Sequence, residues 1–304
     1  MHIRLGNNGL ASDWPQGHGL ASYSQSHSQS HKLGNNGLAS FSQSHKPKKS
    51  LGQNFLTDKN IQRKLISSYN LKSSDHVLEI GAGYGELTRL IAMQAAFVYA
   101  LEVDALLCRD LKDNTEGCPN VKIIKQDILK FALSKYFKNL KSRIKVVGNI
   151  PYYITSPIIE HLIKYREKIE TIFITVQKEF AKRMVSPAGS KEYGSFSCFV
   201  QYYTIPKILF FIKKGSFFPV PKVDSCVLEF KVREAPAVKV CDEGLFFKII
   251  RASFNQRRKT LRNSLNGIAG REQLLEFFSK AEIDINTRPE DLTLKDFARL
   301  ANSL

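Results

Sequence analysis

Residues 76–85 read His-Val-Leu-Glu-Ile-Gly-Ala-Gly-Tyr-Gly. The run His76–Gly81 has the length and composition of a short buried strand that ends in glycines. Glycine lacks a β-carbon, so this loop can turn tightly and let a ligand lie against its backbone. Leu87, Leu90 and Ile91 then fall on one side of a helix over 86–95. The alternation continues outward. Phe97–Val103, Val121–Ile124, Val146–Gly148 and Thr171–Val176 are β-rich, and Ala105–Asn114, Pro157–Tyr165 and Lys178–Val185 have helical patterns. Strands alternating with helices predict an α/β protein with a parallel, doubly wound sheet. Ile208–Ile212 and Cys226–Val232 have no helix between them and are expected as an antiparallel pair at the sheet edge. Beyond a linker at Glu234–Lys239, Asp242 can cap a helix bearing Leu245, Ile249, Ala252 and Phe254. A last helix is expected from near Thr293. Roughly 70 residues bury little core alone, so this small C-terminal helical domain is expected to pack on the sheet.

Glu102 ends the second strand of the alternation, 17 residues after Gly85. An acid there is placed to accept the hydroxyls of a ribose. The glycine spacing is GxGxG, which differs from the GxGxxG that seats a pyrophosphate on a helix N-terminus. Glu79, just before the first glycine, also disfavours phosphate and tolerates a cationic nucleoside, of which S-adenosylmethionine is an example. Asp127, closing the third strand, is a turn or cap residue taken alone; taken with the loop and Glu102 it can bond an adenine amino group.

Asn149-Ile150-Pro151-Tyr152 follows the fourth strand. The lone pair of an exocyclic purine amine is delocalised into the ring, so the amine is a poor nucleophile. Acceptors for its N–H groups let it pyramidalise, and the Asn149 side-chain oxygen and Ile150 carbonyl can supply them, with Pro151 fixing the backbone. Tyr152 offers a flat face to an extruded base. No Pro-Cys occurs, which argues against the covalent route to C5 of a pyrimidine. Direct transfer to nitrogen needs neither a covalent intermediate nor a metal.

The 304 residues carry 45 Lys+Arg against 28 Asp+Glu, formally +17. Residues 1–45 repeat LGNNGLAS twice and SQSH three times and carry only +1 of that charge, so the remainder holds +16. This leading segment reads as a disordered low-complexity tail or a cloning-derived extension. The charge on the rest suggests a polyanionic partner. No apolar run approaches the ~20 residues a bilayer span needs, and no secretory signal opens the chain. The five scattered cysteines form no CxxC pair, which fits a reduced, cytoplasmic protein without a disulfide or zinc framework. Between Glu243 and Glu272 there is no acid but seven cations, among them Arg251, Arg257, Arg258, Lys259 and Arg262. Beside a base-handling site this tract reads as an RNA phosphate track, which Lys48 and Lys49 can extend.

Seven segments occur in order: KKSLGQNFL (48–56), Glu79–Thr88, NIPY (149–152), VQKEFAKRM (176–184), FFPVPKVDS (217–225), FNQRRKTLRNSL (254–265) and RPEDL (288–292). Together they resemble the small-subunit ribosomal RNA adenine dimethyltransferases, the KsgA family, over residues 46–304. The resemblance implies a Rossmann-like class I methyltransferase domain over 46–233 and a helical RNA-binding domain over 234–304. It implies dimethylation of N6 of two adjacent adenosines in a hairpin near the 3′ end of small-subunit rRNA. The donor is S-adenosylmethionine, the product is S-adenosylhomocysteine, and no metal takes part. The partner is the small ribosomal subunit or its assembly intermediate, met by a monomer. By motif, Asn54 and Leu56 line the methionine end of the cofactor and Gly81 approaches it through its backbone. Glu102 holds the ribose, Asp127 the adenine, and Asn149 bridges cofactor and target amine. Tyr152 and Phe217 sandwich the target base. Tyr153 stands where the family often has Asn. Two alternatives are a large-subunit rRNA adenine methyltransferase conferring resistance and an assembly factor that binds RNA with secondary catalysis. The segments FNQRRKTLRNSL and RPEDL favour the small-subunit enzyme.

Overall fold

The computed structural model describes residues 46–48, 51–255, 260–266, 268 and 270–303. Among these, the strands are β1 (Phe55–Leu56), β2 (His76–Ile80), β3 (Phe97–Glu102), β4 (Val121–Lys125), β5 (Ile144–Asn149), β6 (Ile169–Gln177), β7 (Thr204–Ile212), β8 (Phe217–Phe218) and β9 (Ser225–Val232). The helices of the sheet region are α1 (Lys59–Ser68), α2 (Glu86–Ala92), α3 (Ala105–Asn114), α4 (Leu133–Tyr136), α5 (Thr155–Lys164), α6 (Lys178–Val185) and α7 (Ser195–Tyr203). Four more follow: α8 (Glu243–Asn255), α9 (Leu261–Ser264), α10 (Arg271–Ala281) and α11 (Leu294–Asn302).

Seven strands form one sheet in the order β4-β3-β2-β5-β6-β9-β7. The first five are parallel, and β9 runs antiparallel to both β6 and β7. The expected edge pair is therefore present. Both faces of the sheet are covered, which is why its strands read as nearly continuous apolar runs. Val77, Val98, Val147 and Phe173 point to one face, where α1 and α2 supply Leu65, Ile66 and Ile91. Leu78, Val146, Ile172 and Leu228 point to the other, in a cluster that continues through Tyr202 of α7 into Phe246, Phe254 and Phe297 of α8 and α11. The C-terminal helices thus complete the core of one sheet face, as their size requires. Asp242 caps α8 through the Leu245 amide, and Thr293 and Asp296 form a reciprocal capping box on α11.

Two features fix the sheet's carboxyl edge. Gly85 starts α2 with φ +85°, and a β-carbon there would lie 2.6 Å from Leu111 of α3, so only glycine fits. The two-residue ribbon β1–β8 pairs Phe55 with Phe218 and Leu56 with Phe217. Because side chains alternate along a strand, Leu56 and Phe217 turn to the core while Phe55 and Phe218 share the opposite face.

Candidate active site

Parallel strands release their loops at one edge, and β4, β3, β2 and β5 are adjacent there. Asp127, Glu102, Gly81 and Asn149 consequently stand in four successive lanes, each ~4.8 Å from the next, a span of ~14 Å. They line one cleft, whose wall also includes Leu51–Phe55. A cleft outside the carboxyl ends of parallel strands is where such folds bind ligands.

Gly81 takes φ +72°, and a β-carbon there would face the Asn149 carbonyl at 3.5 Å. The missing side chain keeps the cleft floor open. Glu102 is buried and accepts backbone N–H groups from Gly83 (2.9 Å), Val103 (2.8 Å) and Asp104 (2.9 Å). Burial raises its carboxyl above the ordinary range, against the downward pull of those three bonds. A carboxylate has about four acceptor sites. Oε1 holds two of the bonds and Oε2 one, so Oε2 keeps further acceptor capacity. Asp127 Oδ1 accepts from the Leu129 amide at 2.9 Å while the residue lines the cleft. The cap and the ligand-facing position are compatible.

The segment over the cleft is tied at both ends. The Asn149 Nδ2 donates to the Asn54 carbonyl at 2.7 Å, and the Lys48 Nζ pairs with the buried Asp104 carboxylate at 2.8 Å. Gln53 also donates to Asp104, at 3.3 Å. Burial pushes Asp104 upward, but the Lys48, Leu106 and Gln53 bonds outweigh it and hold the carboxyl below its usual range. Lys48 is itself exposed, so the pair with Asp104 ties this segment down while the lysine stays at the surface.

Tyr152 lines the cleft beside Asn149, and its hydroxyl shares a 2.6 Å hydrogen bond with Ser225 Oγ, a fully buried group at the start of β9. Ile150 and Pro151 also line the wall. Tyr153 is 63% exposed, and its ring lies beside Gly52, where a β-carbon would come within 3.0 Å of it.

Three expectations are corrected. Phe217 is 2% exposed, packed with Leu56, Val147 and Val227, so its ring offers no open face for one side of a base sandwich. Leu56 is 7% exposed in the same cluster and does not line the cleft; Phe55 does. Both follow from the ribbon register, which sends Leu56 and Phe217 to the core together. Glu79 is buried, accepts from Thr88 Oγ1 at 2.6 Å, and is not on the cleft wall. Burial lifts its carboxyl to about 8, against the Thr88 bond and with some help from Glu102. Burial thus favours its neutral form, which weakens the electrostatic part of its expected role.

Of the expected RNA contacts, Arg251 is exposed on α8, one turn after the buried Phe247, and Arg262 is half-buried on α9. Lys49, Arg257, Arg258 and Lys259, like residues 1–45, lie outside the described residues. The sequence reasoning passed over Phe55, Asp104 and Ser225. Phe55 and Ser225 belong to the quoted segments at 48–56 and 217–225, and Asp104 follows Glu102 by two residues. Among the described residues no cluster of His, Cys, Asp and Glu could hold a metal ion, and no helix is long and apolar enough to cross a membrane.

Comparison with known proteins bears on this arrangement. Residues 44–304 match the family model described as ribosomal RNA adenine dimethylase. Ribosomal RNA small subunit methyltransferase A of Streptococcus gordonii is 44% identical over 258 residues, covering 82% of this chain and 89% of that protein. The Streptococcus sanguinis protein of the same name is 43% identical with the same coverage. The crystal structure of a dimethyladenosine transferase from Plasmodium falciparum aligns with a TM-score of 0.71 and 25% identity, over 81% of this chain and 95% of that one. The 23S rRNA methyltransferase ErmE shares the fold, with a TM-score of 0.65 and 23% identity over 82% of this chain and 99% of its own. A glycine cleft with Asn149 and Tyr152 on its wall and a family match spanning sheet and C-terminal helices lead to one conclusion: the chain belongs to the ribosomal RNA adenine dimethylase family.

Proposed function

We propose that this protein dimethylates N6 of two adjacent adenosines in a hairpin near the 3′ end of small-subunit rRNA, acting as a cytoplasmic monomer on a late assembly intermediate of the small subunit. The observation that carries the reading is the position of Asn149. It stands at the end of the lane next to Gly81, with its amide nitrogen held by the Asn54 carbonyl, so that its Oδ1 is the branch available to an incoming N–H donor.

The donor class that fits is S-adenosylmethionine, which when bound supplies an electrophilic methyl carbon on a sulfonium and leaves as S-adenosylhomocysteine. Asp127 would hold its adenine and Glu102 its ribose, with Gly81 and Asn54 at its methionine end. The ~14 Å run of lanes suits an extended nucleoside of that length.

The remaining work falls to the chain's own residues. Asn149 Oδ1 and the Ile150 carbonyl accept the amine's two N–H bonds, drawing its lone pair out of conjugation and towards the cleft. Tyr152 supports the base by stacking, worth ~1–3 kcal/mol, while its bond to Ser225 fixes the ring's position. Asn149 is no base, and Glu102 stands two lanes away, ~10 Å. The proton released on transfer therefore leaves to water. Arg251 and Arg262 are proposed phosphate contacts from the helical region over 234–304, together with Lys49, Arg257, Arg258 and Lys259.

The test is transfer of labelled methyl to undermethylated small subunits and, in parallel, to large subunits, with the labelled nucleotide mapped. Label on two adjacent adenosines of the small subunit is expected. Label on the large subunit alone would overturn the assignment.

A further inference from the structure

Strands β6 and β7 run in the same direction, both antiparallel to β9, so the end of β7 and the start of β9 reach the edge where β5 delivers Asn149. The connection between them, residues 213–224, forms a crown beside the cleft. It exposes Lys213, Lys214, Phe218, Val220, Lys222 and Val223, with Phe218 at 51% and Val220 at 59%. Its single acid, Asp224, is engaged by Lys213 Nζ at 3.4 Å and the Lys214 amide at 3.0 Å.

This crown is held in place. The Ser216 carbonyl accepts from the Thr57 amide at 2.9 Å, the Asp224 carbonyl accepts from the Lys178 amide at 3.1 Å, and Pro219 and Pro221 restrict the chain between. It is also continuous with the cleft wall: Phe217 pairs with Leu56, and Ser225 bonds Tyr152. Phe218 lies on the same ribbon face as Phe55, which lines the cleft.

Exposed apolar groups gathered at one place mark a binding surface. Lysines spaced among them speak against an apolar protein partner and for a chain that offers flat apolar faces and regular negative charge, as single-stranded nucleic acid does. We propose that the crown over residues 213–223 is an RNA-docking surface: it receives the unpaired nucleotides flanking the target adenosine, with bases on Phe218, Val220 and Val223 and phosphates on Lys213, Lys214 and Lys222. This rests on the reading above that the substrate is rRNA, and it places a contact region outside the C-terminal basic tract.

The test compares the wild-type chain with a triple Lys213→Gln/Lys214→Gln/Lys222→Gln variant and a double Phe218→Ser/Val220→Ser variant. Binding to undermethylated small subunits and to protein-free small-subunit rRNA is followed across a salt series. Each lost phosphate contact lowers the slope of log K against log salt by about 0.7 to 0.9. The triple variant is expected to lower the slope by about 2 and the affinity at least tenfold. The double variant is expected to weaken binding about tenfold with the slope unchanged. Affinity for S-adenosylhomocysteine and the thermal midpoint serve as controls for folding and are expected to hold, since all five side chains are exposed. An unchanged slope in the triple variant overturns the proposal, as does a loss seen with subunits but absent with protein-free rRNA, which would make the crown a ribosomal-protein contact. Failure of the wild-type chain to methylate small subunits at all would instead overturn the functional reading.

Discussion

The side-chain amide of Asn149 donates to the backbone carbonyl of Asn54 across 2.7 Å, joining the end of β5 to a segment 95 residues earlier in the chain. This bond fixes the cleft wall and orients Asn149 in one step. With the nitrogen committed to Asn54, the acceptor Oδ1 lies on the other branch of the amide. Asn149→Ala removes both functions, and removal of one polar group that serves a transition state typically lowers rate 10²–10³-fold. That loss is expected in single-turnover methyl transfer. Asn149→Asp sets a carboxylate against the Asn54 carbonyl, two acceptors face to face, and is expected to weaken S-adenosylhomocysteine binding in calorimetry as the segment is pushed away. Equal turnover of wild type and Asn149→Ala would remove Asn149 from the chemistry.

Tyr152 separates stacking from anchoring. Tyr152→Phe keeps the ring but leaves the buried Ser225 hydroxyl without its partner, at a cost of about 1–3 kcal/mol in stability. Its methyl transfer at saturating subunits is expected to stay within several-fold of wild type. Tyr152→Ala also removes the stacking face and is expected to raise KM for subunits about 10–100-fold, in line with ~1–3 kcal/mol per stacked base. If both variants behave alike in KM, the ring does not stack on the target.

Phe217 is a core residue in this fold. Phe217→Ala empties a site shared by Leu56, Val147 and Val227 and is expected to cost about 3–5 kcal/mol, read as a lowered denaturation midpoint. Phe218→Ala, on the exposed face of the same ribbon, is expected to change the midpoint little. A reversed order of the two midpoints would contradict the ribbon register.

Glu79 makes stability depend on pH. In the native protein its carboxyl keeps its proton up to about 8, whereas an ordinary glutamate releases it near 4.5. Between these values the unfolded chain binds fewer protons than the native one, so the contribution of Glu79 to stability falls as pH rises through that window. The slope is at most about 1.4 kcal/mol per pH unit. Glu79→Gln retains an acceptor for Thr88 and has no proton to release. The difference in stability between variant and wild type is expected to grow in favour of the variant from pH 5.5 to pH 7.5. A difference independent of pH would show that Glu79 is ionised in the native state.

Much of this architecture was readable from local pattern. The strand–glycine–helix passage at 76–92 and the edge pair of β7 and β9 follow from runs of apolar residues and from glycines whose conformation no other residue adopts cheaply. Helix α7 was not readable. Ser195–Tyr203 is crowded with aromatic and β-branched residues that favour strands when judged alone, and it is helical because Cys198, Val200, Tyr202 and Tyr203 are buried in the shared core.

The amino-acid order alone determined the chemistry on offer: a glycine turn, an acid after the next strand, and an amide beside a proline and a tyrosine. These are properties of neighbours in the chain, set by backbone freedom and side-chain type. Which of two adjacent phenylalanines is buried, that Lys48 pairs with Asp104, and that burial raises the Glu79 carboxyl were decided only in three dimensions. Each depends on a partner brought from far along the chain: Leu56 across the ribbon from Phe217, Asp104 beneath Lys48, and the packing that removes water from Glu79. Burial and register arise from contacts between distant segments, and local pattern holds no record of them.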